Sequence, residues 1–364
     1  MGGRRIINSF LILSSLLLLA ANFIFADVPA PVPTAQNSNY TKNILYVFED
    51  SRNLYQVGLM GLTGSDKKIL TREGNNWCPV VSPSGEKIAF LSDRSGFNNL
   101  WMMNSDGTNQ VQLTFNQENI NKVDLKCRGQ IAWLKATAEH FESIYFLKLG
   151  DIWTIDVTGE APSALTDYHD ITSFKISPDI AAPRILFARE KTRNHNGLWT
   201  MNIDRTNIRQ ISDSQLVIPA FDWGDNNTIA FFNNRNISVV QFSGLDKKSI
   251  KDTYYLDNEI SWSKSNVDKS KNKIAYISDR NNGPNIWVMY PDGSSDFQVT
   301  LNGGTSPCWS SDGNSLIFVE GNDIFSTNLN TKEKIRLTYN FSAFFPSVAE
   351  IKTNAEPAAT AGSK

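Results

Sequence analysis

The chain has 364 residues, with 35 Lys plus Arg against 37 Asp plus Glu and a formal net charge of −2. That balance, with no basic stripe, argues against nucleic acid as a partner. Its three histidines, His140, His169 and His195, fall in three separate loops with no metal-binding spacing, which argues against a histidine-centred metal site.

Residues 1–26 open with Arg4 and Arg5, continue as an apolar run and end at Ala26. This is the pattern of a secretory signal peptide cleaved after Ala26. The run is also long enough for a retained membrane anchor, the rival reading. No Cys stands at the cut, so a bacterial lipid anchor is not expected. Residues 27–43, DVPAPVPTAQNSNYTKN, read as a Pro-rich extended linker. Residues 352–364 read as a disordered tail.

The region between, 44–351, is repetitive. One column is a short apolar run whose third position is aromatic: Tyr46, Phe90, Phe146, Phe187, Phe231, Tyr276 and Phe318. A second column is an apolar–aromatic pair: Leu54–Tyr55, Leu100–Trp101, Ile152–Trp153, Leu198–Trp199, Ile286–Trp287 and Ile324–Phe325, with Ile237–Ser238 a degenerate copy. A third closes each unit: Leu70–Thr71, Leu113–Thr114, Leu165–Thr166, Ile211–Ser212, Val299–Thr300 and Leu337–Thr338, with one unreadable copy near Lys251. The spacing, about 40 to 50 residues, is that of propeller blades. One such sheet cannot bury both faces alone, so the units must stack around an axis.

The expected fold is therefore all-β: a propeller of seven four-stranded blades. The first unit lacks a leading strand, and a spare strand follows the seventh at 344–351. That last strand is expected to complete the first blade and close the ring. The third unit is irregular, with a polar insert at 135–142. Of Cys78, Cys127 and Cys308, only the first two sit in neighbouring units and could pair. The plainer reading takes all three as small buried apolar residues.

No hydrolase elbow, phosphate loop, dinucleotide fingerprint or calcium loop occurs. Asp106–Gly107 and Asp292–Gly293 fit tight hairpins. Asp93 and Asp279 are expected to bond nearby loop amides. Trp101, Trp153, Trp199 and Trp287 recur at blade period and read as core between blades. No catalytic residue, metal ligand or cofactor is expected.

The stretches VSPSGEKIAFLSDR, NNLWMMNSDGTNQVQLT, KIAYISDRNNGPNIWVMYPDG and SPCWSSDGNSLIFV resemble the TolB-type, WD40-like propeller repeat. The resemblance implies a periplasmic or secreted module of the cell envelope that binds a protein or peptide. A lipoprotein is a candidate partner, since TolB binds one. TolB has six blades, the alternative count here, and an additional domain before them that this sequence does not match. A propeller lyase or hydrolase acting on an extracellular polymer is the competing class. A monomer is expected, with no stable membrane insertion once the signal is removed.

Strand alternation puts the loops joining second to third strands, and the loops joining successive blades, at one face. The binding residues expected there are Arg94, Phe97, Asn98, Phe115, His169, His195, Arg280, Asn282, Tyr339 and Phe341. Exposed aromatics and arginines are what binding hot spots favour.

Overall fold

The computed structural model describes residues 40–117, 130–135, 142–160, 162–179, 181–190, 197–212, 220–233, 236–252, 259–264, 268–281, 283–339 and 342–352. The signal peptide reading, most of the linker and the tail beyond Lys352 lie outside them. So do His140, His195, Asn282, Phe341 and Cys127.

Seven antiparallel sheets of four strands each make up the described fold. Blade 1 takes its strands from both ends of the propeller; blades 2 to 7 span residues 76–112, 131–164, 171–210, 221–252, 260–298 and 305–336. There is one hydrophobic cluster per junction between neighbouring blades. The cluster of Leu45, Leu59, Ile88 and Phe90, for example, joins blades 1 and 2. Each second strand is covered on both faces, so its apolar run is continuous rather than alternating. All seven aromatics of the first sequence column are buried.

The inner strands bond around the ring through tryptophan. The indole N–H of Trp133 donates to Val80 O at 3.0 Å, that of Trp223 to Lys175 O at 3.2 Å, and that of Trp309 to Ser261 O at 2.9 Å. Each reaches back to the preceding blade's inner strand.

The strand Ala343–Lys352 supplies the innermost strand of blade 1, pairing with Tyr40–Glu49 from Phe48↔Ala343 to Tyr40↔Lys352. The ring closes as expected, but the first strand starts at Tyr40 rather than at Ile44. Tyr40, Thr41 and Lys42 are exposed, so no apolar pattern marks them; backbone pairing with the closing strand orders them instead. The closing strand also meets blade 2, where Lys352 N–H donates to Gly85 O at 3.0 Å. Gly85 has φ 69°, and a Cβ there would lie 2.5 Å from Glu350 O, so only glycine fits this closure.

The unreadable copy in unit five is the outer strand Lys248–Asp252, whose KSIKD carries no Leu-Thr ending. Its Lys251 pairs with Asp296 of blade 6 at 2.8 Å.

Three inner strands carry a bulge that contains proline. Cys78–Pro79, Ser306–Pro307 and Phe345–Pro346 stand outside the ladder register, opposite the aromatics Phe90, Phe318 and Tyr46. Cys78, Ser306 and Phe345 have φ of 54°, 53° and 50°. Proline fits directly after such a residue because a bulge position owes no ladder N–H.

Cys78 is disulfide-bonded and Cys308 is free. The reading of all three cysteines as unpaired core residues is thereby corrected. Burial pushes the Cys308 thiol up to about 12, so it is an inert wall residue at neutral pH.

Candidate functional site

The loops joining second to third strands and those joining successive blades do share one face, and the end of each repeat explains why they are held firmly. The closing Thr or Ser of blades 1 to 4, 6 and 7 accepts a backbone N–H from the third strand. Those donors are Val57, Leu100, Ile152, Leu198, Ile286 and Ile324, at 2.8–2.9 Å. Five of these hydroxyls donate in turn to the residue before that N–H: Gln56, Asn99, Asp151, Asn285 and Asp323. The side chain so held then grips the inter-blade loop. Asn99 Oδ1 accepts from Asn116 N–H at 2.9 Å, and Asp151 Oδ1 from Tyr168 N–H at 2.7 Å.

This lattice presents apolar side chains to solvent. Phe115 is 77% exposed, Leu149 52% and Phe97 40%. Their three loops are tied together: Asn99 Nδ2 donates to Phe97 O at 3.2 Å, and Lys148 Nζ to Asn116 Oδ1 at 2.6 Å. Leu301 and Tyr339 are exposed on the same face, at the two ends of blade 7. His169 is exposed in the loop between blades 3 and 4, next to Gly150, its Nδ1 2.5 Å from Asp151 Oδ2.

The two expected arginines are placed otherwise. Arg94 turns inward: Nη2 donates to Asn76 Oδ1 at 2.7 Å and Nη1 to Gln110 Oε1 at 2.5 Å, with the guanidinium 4.7 Å from the Trp101 ring centroid. Burial lowers its pKa from the usual arginine value. Arg280 donates to Asp296 Oδ2 at 2.8 Å and to Tyr276 OH at 2.6 Å, and lies 3.8 Å over Trp287. Burial works against its charge, but Asp296 and Tyr276 outweigh that and raise its pKa. Arg189 repeats the device in blade 4, on Asp170 and Tyr168. A guanidinium packed on the third-strand aromatic is a blade fastening, not a free contact. Asn98 is buried as well.

Asp93 bonds the preceding loop as expected, accepting from Asn75 N–H at 2.7 Å. Asp279 departs from this: its Oδ1 is buried without a hydrogen-bond partner among the described residues. Gly107 and Gly293, at φ 90° and 86°, turn the two Asp-Gly hairpins.

The ring axis holds a channel of about 760 Å³ lined by all seven inner strands. Lys175 Nζ lies 2.9 Å from Asp222 Oδ1 and Lys264 Nζ 3.8 Å from the same oxygen. Glu259 accepts the Ser306 N–H. Among the described residues, no three His, Cys, Asp or Glu side chains converge to hold a metal ion. No described helix is long and apolar enough to cross a membrane.

No family model and no curated protein matches the chain. Solved structures do. A puromycin-hydrolyzing peptidase of Mycobacterium tuberculosis aligns with a TM-score of 0.59 and 12% identity, over 83% of this chain and 52% of that one. An oligogalacturonate lyase in complex with manganese aligns with 0.55 and 10%, over 82% and 85%. TolB from Acinetobacter baumannii aligns with 0.48 and 14%, over 69% of this chain and 61% of that one. The chain thus spans less than two thirds of that TolB. Identities this low establish a shared fold and no activity.

The chain is a seven-bladed β-propeller.

In this propeller, sequence reasoning missed Leu149 and Leu301 on the loop face and Lys175, Asp222 and Lys264 in the channel. Leu149 lies between the second and third strands of blade 3 and Leu301 follows the unit end Val299–Thr300, so their exposure is a matter of position, not of type. Asp222 stands alone between the apolar Phe221 and Trp223. A lone carboxylate in an apolar strand was the available signal, because such a group demands a partner.

Proposed function

We propose that this protein is an exported propeller that binds a protein or peptide of the cell envelope and performs no chemistry of its own. The observation that carries the reading is the tied patch Phe97, Phe115 and Leu149: three large apolar side chains held outward by Asn99, Asn116 and Lys148. Exposed apolar residues grouped on rigid loops and rimmed by polar ones mark interaction sites. Export rests on the n-region, apolar run and Ala26 of the leader.

The test is a pull-down from envelope extract with the protein lacking residues 1–26. The Phe97→Ala, Phe115→Ala double variant should retain its melting temperature and weaken capture by roughly tenfold or more. Capture of the same partner at equal strength would move the site elsewhere. N-terminal sequencing of the native protein should begin at Asp27; a chain beginning at Met1 or Gly2 in the membrane pellet would favour the anchor.

A further inference from the structure

The channel differs at its two ends. Inner strands run from the loop face toward the opposite face. Pro79, Pro307 and Pro346 stand at mid-depth, opposite the second-strand aromatics; Lys175 and Asp222 stand one residue further along, and Lys264 lies beyond the end of its strand. From the loop face, the channel therefore passes Glu259, then an apolar collar of prolines at mid-depth, then a charged mouth. A volume of about 760 Å³ lies within the range of small-ligand sites.

The charged mouth has more donors than acceptors. Asp222 is 4% exposed. Its Oδ1 accepts from Lys175 Nζ at 2.9 Å and Trp223 N–H at 3.0 Å, and its Oδ2 accepts from Trp262 N–H at 2.8 Å. Lys264 stands 3.8 Å away, beyond hydrogen-bond reach, with its side chain 52% exposed. The buried Trp262 Nε1 has no hydrogen-bond partner among the described residues. Glu259 sits toward the other end and is engaged by Ser306 N–H, so it does not answer the second lysine. Burial would raise the Asp222 pKa, but Lys175, Lys264 and Trp262 N–H outweigh it and hold the group ionised. Two ammonium groups thus face one carboxylate.

We infer that this mouth binds an amphiphilic carboxylate, its head group between Lys175 and Lys264 and its apolar body along the axis toward the proline collar. A second carboxylate completes the charge balance that Asp222 leaves open. Hydrogen bonds to charged groups are the stronger kind. The collar covers the tail and removes its apolar surface from water. The site lies at the mouth opposite the loop face, so it does not depend on the docking reading.

The probe is octanoate, titrated calorimetrically into the full chain, with octanol and octylamine as matched controls. Saturable one-site binding of octanoate, with octylamine inert, is expected. Lys264→Gln should weaken it about tenfold at unchanged melting temperature, and Lys264→Arg should retain it. Octanol binding as tightly as octanoate, absence of saturable heat, or an unchanged Lys264→Gln titration would each overturn the proposal. The Phe97→Ala, Phe115→Ala variant should bind octanoate as the parent does; loss there would overturn the placement and would leave the loop-face test untouched.

Discussion

Blades 7, 1 and 2 and blades 3, 5 and 6 solve the same packing problem in two ways. In the first group the second-strand aromatics Phe318, Tyr46 and Phe90 face an X-Pro bulge in the inner strand. In the second group Phe146, Phe231 and Tyr276 pair directly with Ile131, Phe221 and Ile260. Blade 4 combines the two: Phe187 pairs directly with Phe174, while one extra residue, Thr172, sits nearer the start of its inner strand. The bulged group is contiguous and centred on the blade that closes the ring. A bulge bends its strand and raises its twist, so curvature gathers where two distant chain segments must meet. The charged cluster lies on the other side of the ring, in blades 4, 5 and 6, where Lys175 Nζ and Trp262 N–H meet one buried carboxylate.

The largest effect should come from removing the closure. Truncation after Ser342 should abolish cooperative melting, since blade 1 loses its inner strand; truncation after Lys352 should melt like the full chain. Equal melting of the two would remove the distinction between the bulged half and the rest.

Next comes Asp222→Ala in the direct half. It leaves the buried Trp223 and Trp262 N–H groups without their acceptor and should cost about 1–3 kcal/mol for each by denaturant unfolding. Because the folded pKa of Asp222 is depressed, its contribution is fully present above the ordinary value of 3.8 and lost as pH falls through the folded value. The variant should therefore show a flatter acid limb than the parent, and parallel limbs would show that Asp222 is not held ionised.

Arg280→Ala should cost about 1–3 kcal/mol, from the bond to Asp296 and the stacking on Trp287. A loss of partner binding at unchanged stability would restore Arg280 as a contact residue. Smallest of all, Pro307→Ala should cost about 0.4–1 kcal/mol through the unfolded chain alone. A larger loss would mean that the bulge depends on proline rather than tolerating it.

The blade count and the closing strand were legible because they rest on apolar periodicity and on a terminal Leu-Thr that has a fixed job: Leu70, Leu113 and Leu337 are buried while Thr71, Thr114 and Thr338 latch the third strand. The loop face was legible in part. Phe97, Phe115 and Tyr339 are exposed, whereas Arg94, Arg280 and Asn98 turn inward. Residue type could not separate these groups, because an arginine beside an aromatic strand can stack just as well as reach outward. The channel cluster was not legible, since Lys175, Asp222 and Lys264 come from three blades and only the ring brings them together.

The pairing of Tyr40 with Lys352 has a geometric consequence. Both termini of the propeller leave from the same rim, the one opposite the loops that carry Phe97 and Phe115. A label attached at Tyr40 or at Lys352 would therefore report on the lysine mouth and leave the aromatic patch at the far rim untouched.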